Sequence, residues 1–289
     1  MCARPRIGLG WRVFLLPSLL KKWHPGLNYQ RMKRPFPPLR LSVHQPGADG
    51  LTFLTALLVI THLVTEALGG PETLDATGFY SLFGLSRPGI LGGQVWQLLT
   101  YSFLHGSLLH LIINVVVIYA IGGRVTRILG SWRTGGIYIG GVVGGGFLHI
   151  LLFPANPLGT SMISSYLPLV GASGGMMALL ITLVSLSPDS RMWPLMISGK
   201  NLGRGVMLSA LILFLFTPGV GFPGLSKVGN WVARDEALGA SLFLISHPCH
   251  IGGGLVGLLF SRRLLGEPVS LEELRRDRKK REERNHSES

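Results

Sequence analysis

The chain has 289 residues, of which 47% are apolar and only 14% charged, and its mean hydropathy is +0.41. So little charge cannot coat a soluble protein of this size, which excludes an ordinary pair of water-soluble domains. The net charge of +13 would fit a nucleic-acid partner, but the 27 basic residues gather at the two ends and avoid the middle, so the surplus reads as membrane topology and no nucleic acid is expected.

Residues 1–50 carry nine basic residues and one acid, Asp49, and seven prolines break any long helix. They read as a basic N-terminal tail, either an Arg-rich targeting segment or a plain tail. The apolar patch Trp11 to Leu20 is interrupted by Arg12 and Pro17 and does not read as a secretory signal. From Leu51 the pattern changes to six apolar stretches, roughly 51–68, 100–121, 136–153, 168–187, 205–222 and 247–265, each near the ~20 residues a spanning helix needs. They lack the polar stripe of soluble helices. The expected fold is an all-α polytopic membrane protein with 51–265 as a six-helix membrane domain, in contact with the lipid bilayer.

Basic residues near a span are retained on the cytoplasmic or equivalent side. In a six-span chain, 24 of the 27 share one side: the N-terminal tail, the 122–135 connection (Arg124, Arg127, Arg133), the 188–204 connection (Arg191, Lys200, Arg204) and the end from Arg262. The opposite loops hold Arg87, Lys227 and Arg234. Both termini are therefore expected on the positive side. The 223–246 connection is long, and its apolar run Leu238 to Ile245 is too short to span. Residues 266–289 form a charged C-terminal helix or tail, with a solvated helix expected over 267–284 and capped at Ser270.

Polar side chains inside membrane helices are costly, and although many only join helices they are the candidates for function. Three sites coincide here. The second stretch carries His105, His110 and Asn114, with the last two four apart on one helical face. The fourth carries Ser173 among Gly171, Gly174 and Gly175, and the sixth carries His250 followed by Gly253 and Gly257. All three stretches run inward from the outer loops, so these residues fall at comparable depth in the outer half. A small-xxx-small pair such as Gly253 and Gly257 lets helix backbones approach closely. A serine hydroxyl needs a base within reach, which His250 would supply, and no carboxylate lies in these helices to orient the imidazole. The arrangement expected is a Ser173/His250 dyad, with oxyanion donors from the Ser173 N–H, His110 and Asn114.

At these residues the sequence resembles the rhomboid family of intramembrane serine proteases. The resemblance rests on His-x-x-x-Asn at His110 and Asn114, Gly-x-Ser-Gly at Gly171 to Gly174, and His-x-x-Gly-x-x-x-Gly at His250, Gly253 and Gly257. It covers about 95–265. It implies a six-transmembrane-helix bundle that cleaves single-span membrane protein substrates near the outer face, without cofactor or metal. Membranes of the secretory pathway, the plasma membrane, mitochondria and plastids all remain open as its location. Three positions depart from the family pattern: Met177 stands where a tyrosine usually stacks on the catalytic histidine, Thr126 replaces an acidic residue, and Gln97 replaces an arginine.

His247 lies one turn before His250 and competes as base, but only His250 has the right offset from the paired glycines. His105 is expected to pack or cap the start of its helix, and His149, His62 and Glu66 to make interhelical or interfacial contacts. Cys2 and Cys249 are too few for a disulfide framework. A histidine-based metal site is disfavoured because His-Glu-x-x-His is absent and His105 and His110 are poorly aligned for joint ligation. A client-binding relative without proteolytic activity is the main alternative, with Met177 leaving it room. A transporter would show an internal repeat or broken helices in matching halves, and neither is visible.

Overall fold

A computed structural model describes residues 49–153, 168–192, 196–218, 220–235 and 242–265. The expectations for the tail before residue 49 and for the helix over 267–284 lie outside the described residues. The first helix, α1 (Gly50–Ala67), starts where Asp49 accepts the Thr52 N–H at 2.8 Å. Its buried residues Leu51, Thr55, Leu58, His62 and Thr65 recur every three or four positions, which lays one face against the next long helix.

Four short helices, α2 (Gly70–Ala76), α3 (Phe79–Phe83), α4 (Arg87–Leu91) and α5 (Gln97–Thr100), and a 3-10 turn at Tyr101–Phe103 build the connection to α6 (Leu108–Leu129). Gln97, wholly buried, organises it. Its Nε2 donates to the Ser81 carbonyl at 2.8 Å and its Oε1 accepts the Ser86 N–H at 3.0 Å, so an uncharged amide holds this connection. The second helix therefore runs over 108–129 and not 100–121. It opens where Ser107 accepts the His110 N–H at 3.2 Å, a side-chain cap that stops the helix from extending backward into the apolar residues before it.

Helix α7 (Ser131–Leu152) follows after Gly130, whose φ of +82° makes the turn, and the Thr126 hydroxyl donates to that of Thr134 at 3.2 Å across it. Next come α8 (Ser173–Leu186), a small antiparallel hairpin pairing β1 (Arg191–Met192) with β2 (Ile197–Ser198), and α9 (Gly199–Phe216). The fifth helix begins six residues before the expected 205 because Ser198 caps it through the Asn201 N–H. A short amphipathic helix, α10 (Leu225–Val232), lies within the long connection, and α11 (His247–Leu265) ends the described residues.

Among the described residues, α1, α6, α7 and α9 are long and apolar enough to cross a membrane. Helix α8 is apolar but only 14 residues long. It contacts α6, α7, α9 and α11 and buries nine of its residues, consistent with a helix that is apolar all round. Outward-facing residues are apolar as well, with Phe53 72% and Leu109 67% exposed, as a lipid-facing surface requires.

Candidate active site

Ser173 is the first residue of α8 and does not lie inside a helix starting at 168, as its apolar run predicts. Residues 168–171 are instead extended: Leu169 exchanges both backbone hydrogen bonds with Leu85 (2.8 and 3.0 Å), and the Gly171 N–H donates to the Tyr101 carbonyl at 2.9 Å. Gly171 then takes φ +116°, a conformation glycine adopts without strain. Space also restricts this position. A Cβ there would lie 2.6 Å from Cε1 and 2.8 Å from Nε2 of His110, so the imidazole rests against the backbone two residues before Ser173.

The residue before Ser173 is Ala172, which offers no side-chain oxygen to cap the helix. The first N–H groups of a helix have no partner within it, and their dipoles sum to a partial positive charge. Ser173 thus begins a helix whose leading donors face whatever lies at its N-terminus. Asn114 sits one turn after His110 and is 2% exposed. Its Nδ2 donates to the His110 carbonyl at 2.9 Å, which fixes the amide with its second N–H still to be donated.

Helix α11 reaches the same place from the other side. A Cβ at Gly253 would run into the Gly174 carbonyl, and one at Gly257 into the Ala178 carbonyl, so the two glycines ride directly on the backbone of α8. The Thr182 hydroxyl donates to the Gly257 carbonyl at 3.3 Å in the same seam. His250 precedes Gly253 by three residues and therefore shares the face turned to α8. Helix α7 presses on both: a Cβ at Gly145 would meet the Cys249 carbonyl at 2.7 Å and the Gly174 Cα at 3.3 Å. Ser173, next to Gly174, and His250, three residues before Gly253, therefore flank one helix crossing.

The remaining histidines sort by their contacts. His247 Nε2 lies 2.9 Å from the Leu242 carbonyl, and since a carbonyl only accepts, that nitrogen carries the proton and donates it. Its ring meets His250 edge-on, with centroids 6.4 Å apart. His105 lies before α6 and not within it, edge-on between His62 (6.4 Å) and His110 (5.1 Å). A cavity of about 420 Å³ between α9 and α11 has His247 and His250 on its wall with Ile245, Val206 and Leu213. Met177, one turn after Ser173, is buried at 3% exposure. Among the described residues no group of three or more His, Cys, Asp or Glu side chains is arranged to hold a metal.

Two contributors escaped the sequence reading. Tyr101 is fully buried; its carbonyl accepts from Gly171 and its hydroxyl donates to the Val142 carbonyl at 2.7 Å. No local pattern marks contacts so distant in sequence. Ser246 precedes α11, and its hydroxyl accepts the Cys249 N–H at 3.2 Å. That residue was legible, because a serine followed two positions later by proline is a helix-start signal.

Residues 92–267 match the family model described as "Rhomboid domain". The chain is 28% identical to the rhomboid protease GluP of Bacillus subtilis over 232 residues, covering 78% of this chain and 37% of that protein. It is 28% identical to rhomboid-related protein 1 of Caenorhabditis elegans over 193 residues (64% and 46%), and 37% identical to human rhomboid-related protein 3 over 89 residues (31% and 19%). The chain thus spans less than half the length of each of these curated relatives.

Proposed function

The chain belongs to the rhomboid family of integral membrane proteins, and from that premise we propose that it is an intramembrane serine endopeptidase in which Ser173 is the nucleophile and His250 the general base. One observation carries the reading: His110 against Gly171 and Gly253 against the Gly174 carbonyl bring the three motif segments together on either side of Ser173. His250 takes the Ser173 proton as Oγ attacks the scissile carbonyl, then returns it to the leaving amine. The developing oxyanion is held by the Ser173 N–H, the Asn114 amide and His110. With its Nε2 proton donated to Leu242, His247 has only Nδ1 to offer as a base.

The substrates are single-span membrane proteins, cut near the outer face, with six helices crossing the bilayer and both termini on the positive side. Support for that topology comes from 24 of 27 basic residues falling on one side. The test is labelling of the purified protein by a fluorophosphonate. Wild type should label and Ser173→Ala and His250→Ala should not; equal labelling of all three would sink the dyad. The second reading, a client-binding relative that does not cleave, is favoured by Met177 in place of the stacking tyrosine, since a thioether orients an imidazole less firmly than a ring face. It requires client binding that Ser173→Ala leaves unaltered in a protein that neither labels nor cleaves.

A further inference from the structure

Helix α11 delivers His250 in its first turn, where helices are least well held. The His250 N–H reaches back to the residue before the helix and donates to the Ser246 carbonyl at 3.2 Å. Ser246 thus bonds directly to the backbone of the residue that carries the imidazole, and it is itself held from outside the helix. Its Oγ, besides accepting the Cys249 N–H, shares a hydrogen bond of 2.8 Å with Nδ1 of His149 on α7. The His149 ring is fixed in turn by stacking on Phe153, with centroids 4.8 Å apart and planes at 21°. One turn earlier on α7, Gly145 lies against Cys249. Helix α7 thus grips the first turn of α11 at two points one turn apart, one by close packing and one by a hydrogen bond.

We propose that His149 is a positioning residue for the reaction: by holding the Ser246 hydroxyl it keeps the first turn of α11 wound and His250 in place beside Ser173. This rests on the Ser173/His250 reading above. A polar ring near the end of a membrane helix has a simpler use as a contact between helices, and the two roles separate by experiment. A contact of that kind would affect stability alone, whereas a clasp on the first turn of α11 controls how often His250 is in reach of the Ser173 hydroxyl.

The test uses full-length protein in proteoliposomes with Cys2→Ser, so that Cys249, fully buried, is the sole thiol and reports on the same turn. His149→Leu and Ser246→Ala should each lower the limiting rate of fluorophosphonate labelling about five- to tenfold, the effect of losing a helix cap, with the half-saturating reagent concentration unchanged. Both should speed alkylation of Cys249 by N-ethylmaleimide. His149→Asn, whose amide can occupy the place of Nδ1, should restore both readings, and the double variant should be no worse than Ser246→Ala alone. A wild-type labelling rate in His149→Leu, a double variant whose losses multiply, or Cys249 that stays inert overturns the proposal. If His149→Leu does not fold, Ser246→Ala against Ser246→Thr carries the same two readings. Wild-type labelling of Ser173→Ala would instead overturn the dyad, and with it the catalytic role of His149; Cys249 alkylation would then still decide whether His149 holds the helix start.

Discussion

Gly253→Ala isolates the helix crossing from every other feature of the site, since it adds one methyl group and no charge. That methyl would collide with the Gly174 carbonyl oxygen and stand 2.9 Å from its carbon and 3.1 Å from Gly174 Cα. Carbon atoms prefer ~3.5–4.0 Å, so α11 must back away from α8 by about 0.5–1 Å. Neither side of the contact can yield locally, because both are helix backbone. A misplacement of ~1 Å between base and nucleophile costs on the order of 100-fold in rate, and overpacking a well-filled seam costs about 1–3 kcal/mol in stability. The matched control is Gly254→Ala in the same turn, where the new methyl meets the Met207 thioether, the flexible end of a side chain that can swing aside. Fluorophosphonate labelling rates and thermal unfolding in detergent measure both. Gly253→Ala should lose about 100-fold in labelling while Gly254→Ala stays within a few fold of wild type. Equal rates for the two variants would refute the claim that this crossing sets the distance between Ser173 and His250.

Gly171→Ala meets two obstacles at once, φ +116° and the His110 ring, and should lower stability by about 1–3 kcal/mol and abolish labelling; a melting temperature equal to wild type would refute it. Asn114→Ala removes a donor from the proposed oxyanion site and should lower turnover of a membrane-peptide reporter by ~10²–10³ with little change in melting temperature. Tyr101→Phe deletes the hydroxyl bonded to Val142 and should cost about 1 kcal/mol, read by thermal unfolding. A chelator such as o-phenanthroline should leave labelling and proteolysis unchanged, whereas inhibition reversed by added zinc would revive the metal-site alternative. Trp132→Cys, at a position 92% exposed beside the basic connection, should react with an impermeant maleimide only from the side that bears both termini.

The existence of the long helices was legible because each needs a continuous apolar run, and composition alone reveals that. Their ends were not, since the run from Trp96 to Phe103 carries no charge to mark it off from the span that follows, and only the Ser107 cap and the Gln97 hydrogen bonds divide it from α6. The same holds for Ser173. The letters PLVGAS read as the opening turns of a helix, and what delays it to Ser173 is a positive φ at Gly171 together with a bond to Tyr101. Glycine spacing did announce the crossing of α8 and α11, because a four-residue repeat of missing side chains has meaning only at a close contact. Helix α10 escaped notice because eight residues with Lys227 and Asn230 among them look like an ordinary loop.

The shortness of α8 explains how a serine within an apolar bundle acquires polar company. Fourteen residues at ~1.5 Å per residue reach about 21 Å, against a hydrocarbon core of ~30 Å, so the helix cannot fill that thickness. N-terminal to the helix, residues 168–171 are not helical, and such backbone packed in an apolar bundle persists only if other protein groups satisfy it. Leu85 and the Tyr101 carbonyl do so, and both belong to the connection between α1 and α6. That connection, which contains none of the candidate catalytic residues, is thus what permits the helix to begin late. A serine placed midway along a full span would have its N–H bonded four residues back and its neighbours shielded by the preceding turn. Beginning the helix at Ser173 leaves that N–H without a partner inside its own helix, as the proposed oxyanion role requires, and leaves room for His110 where the missing turn would have been.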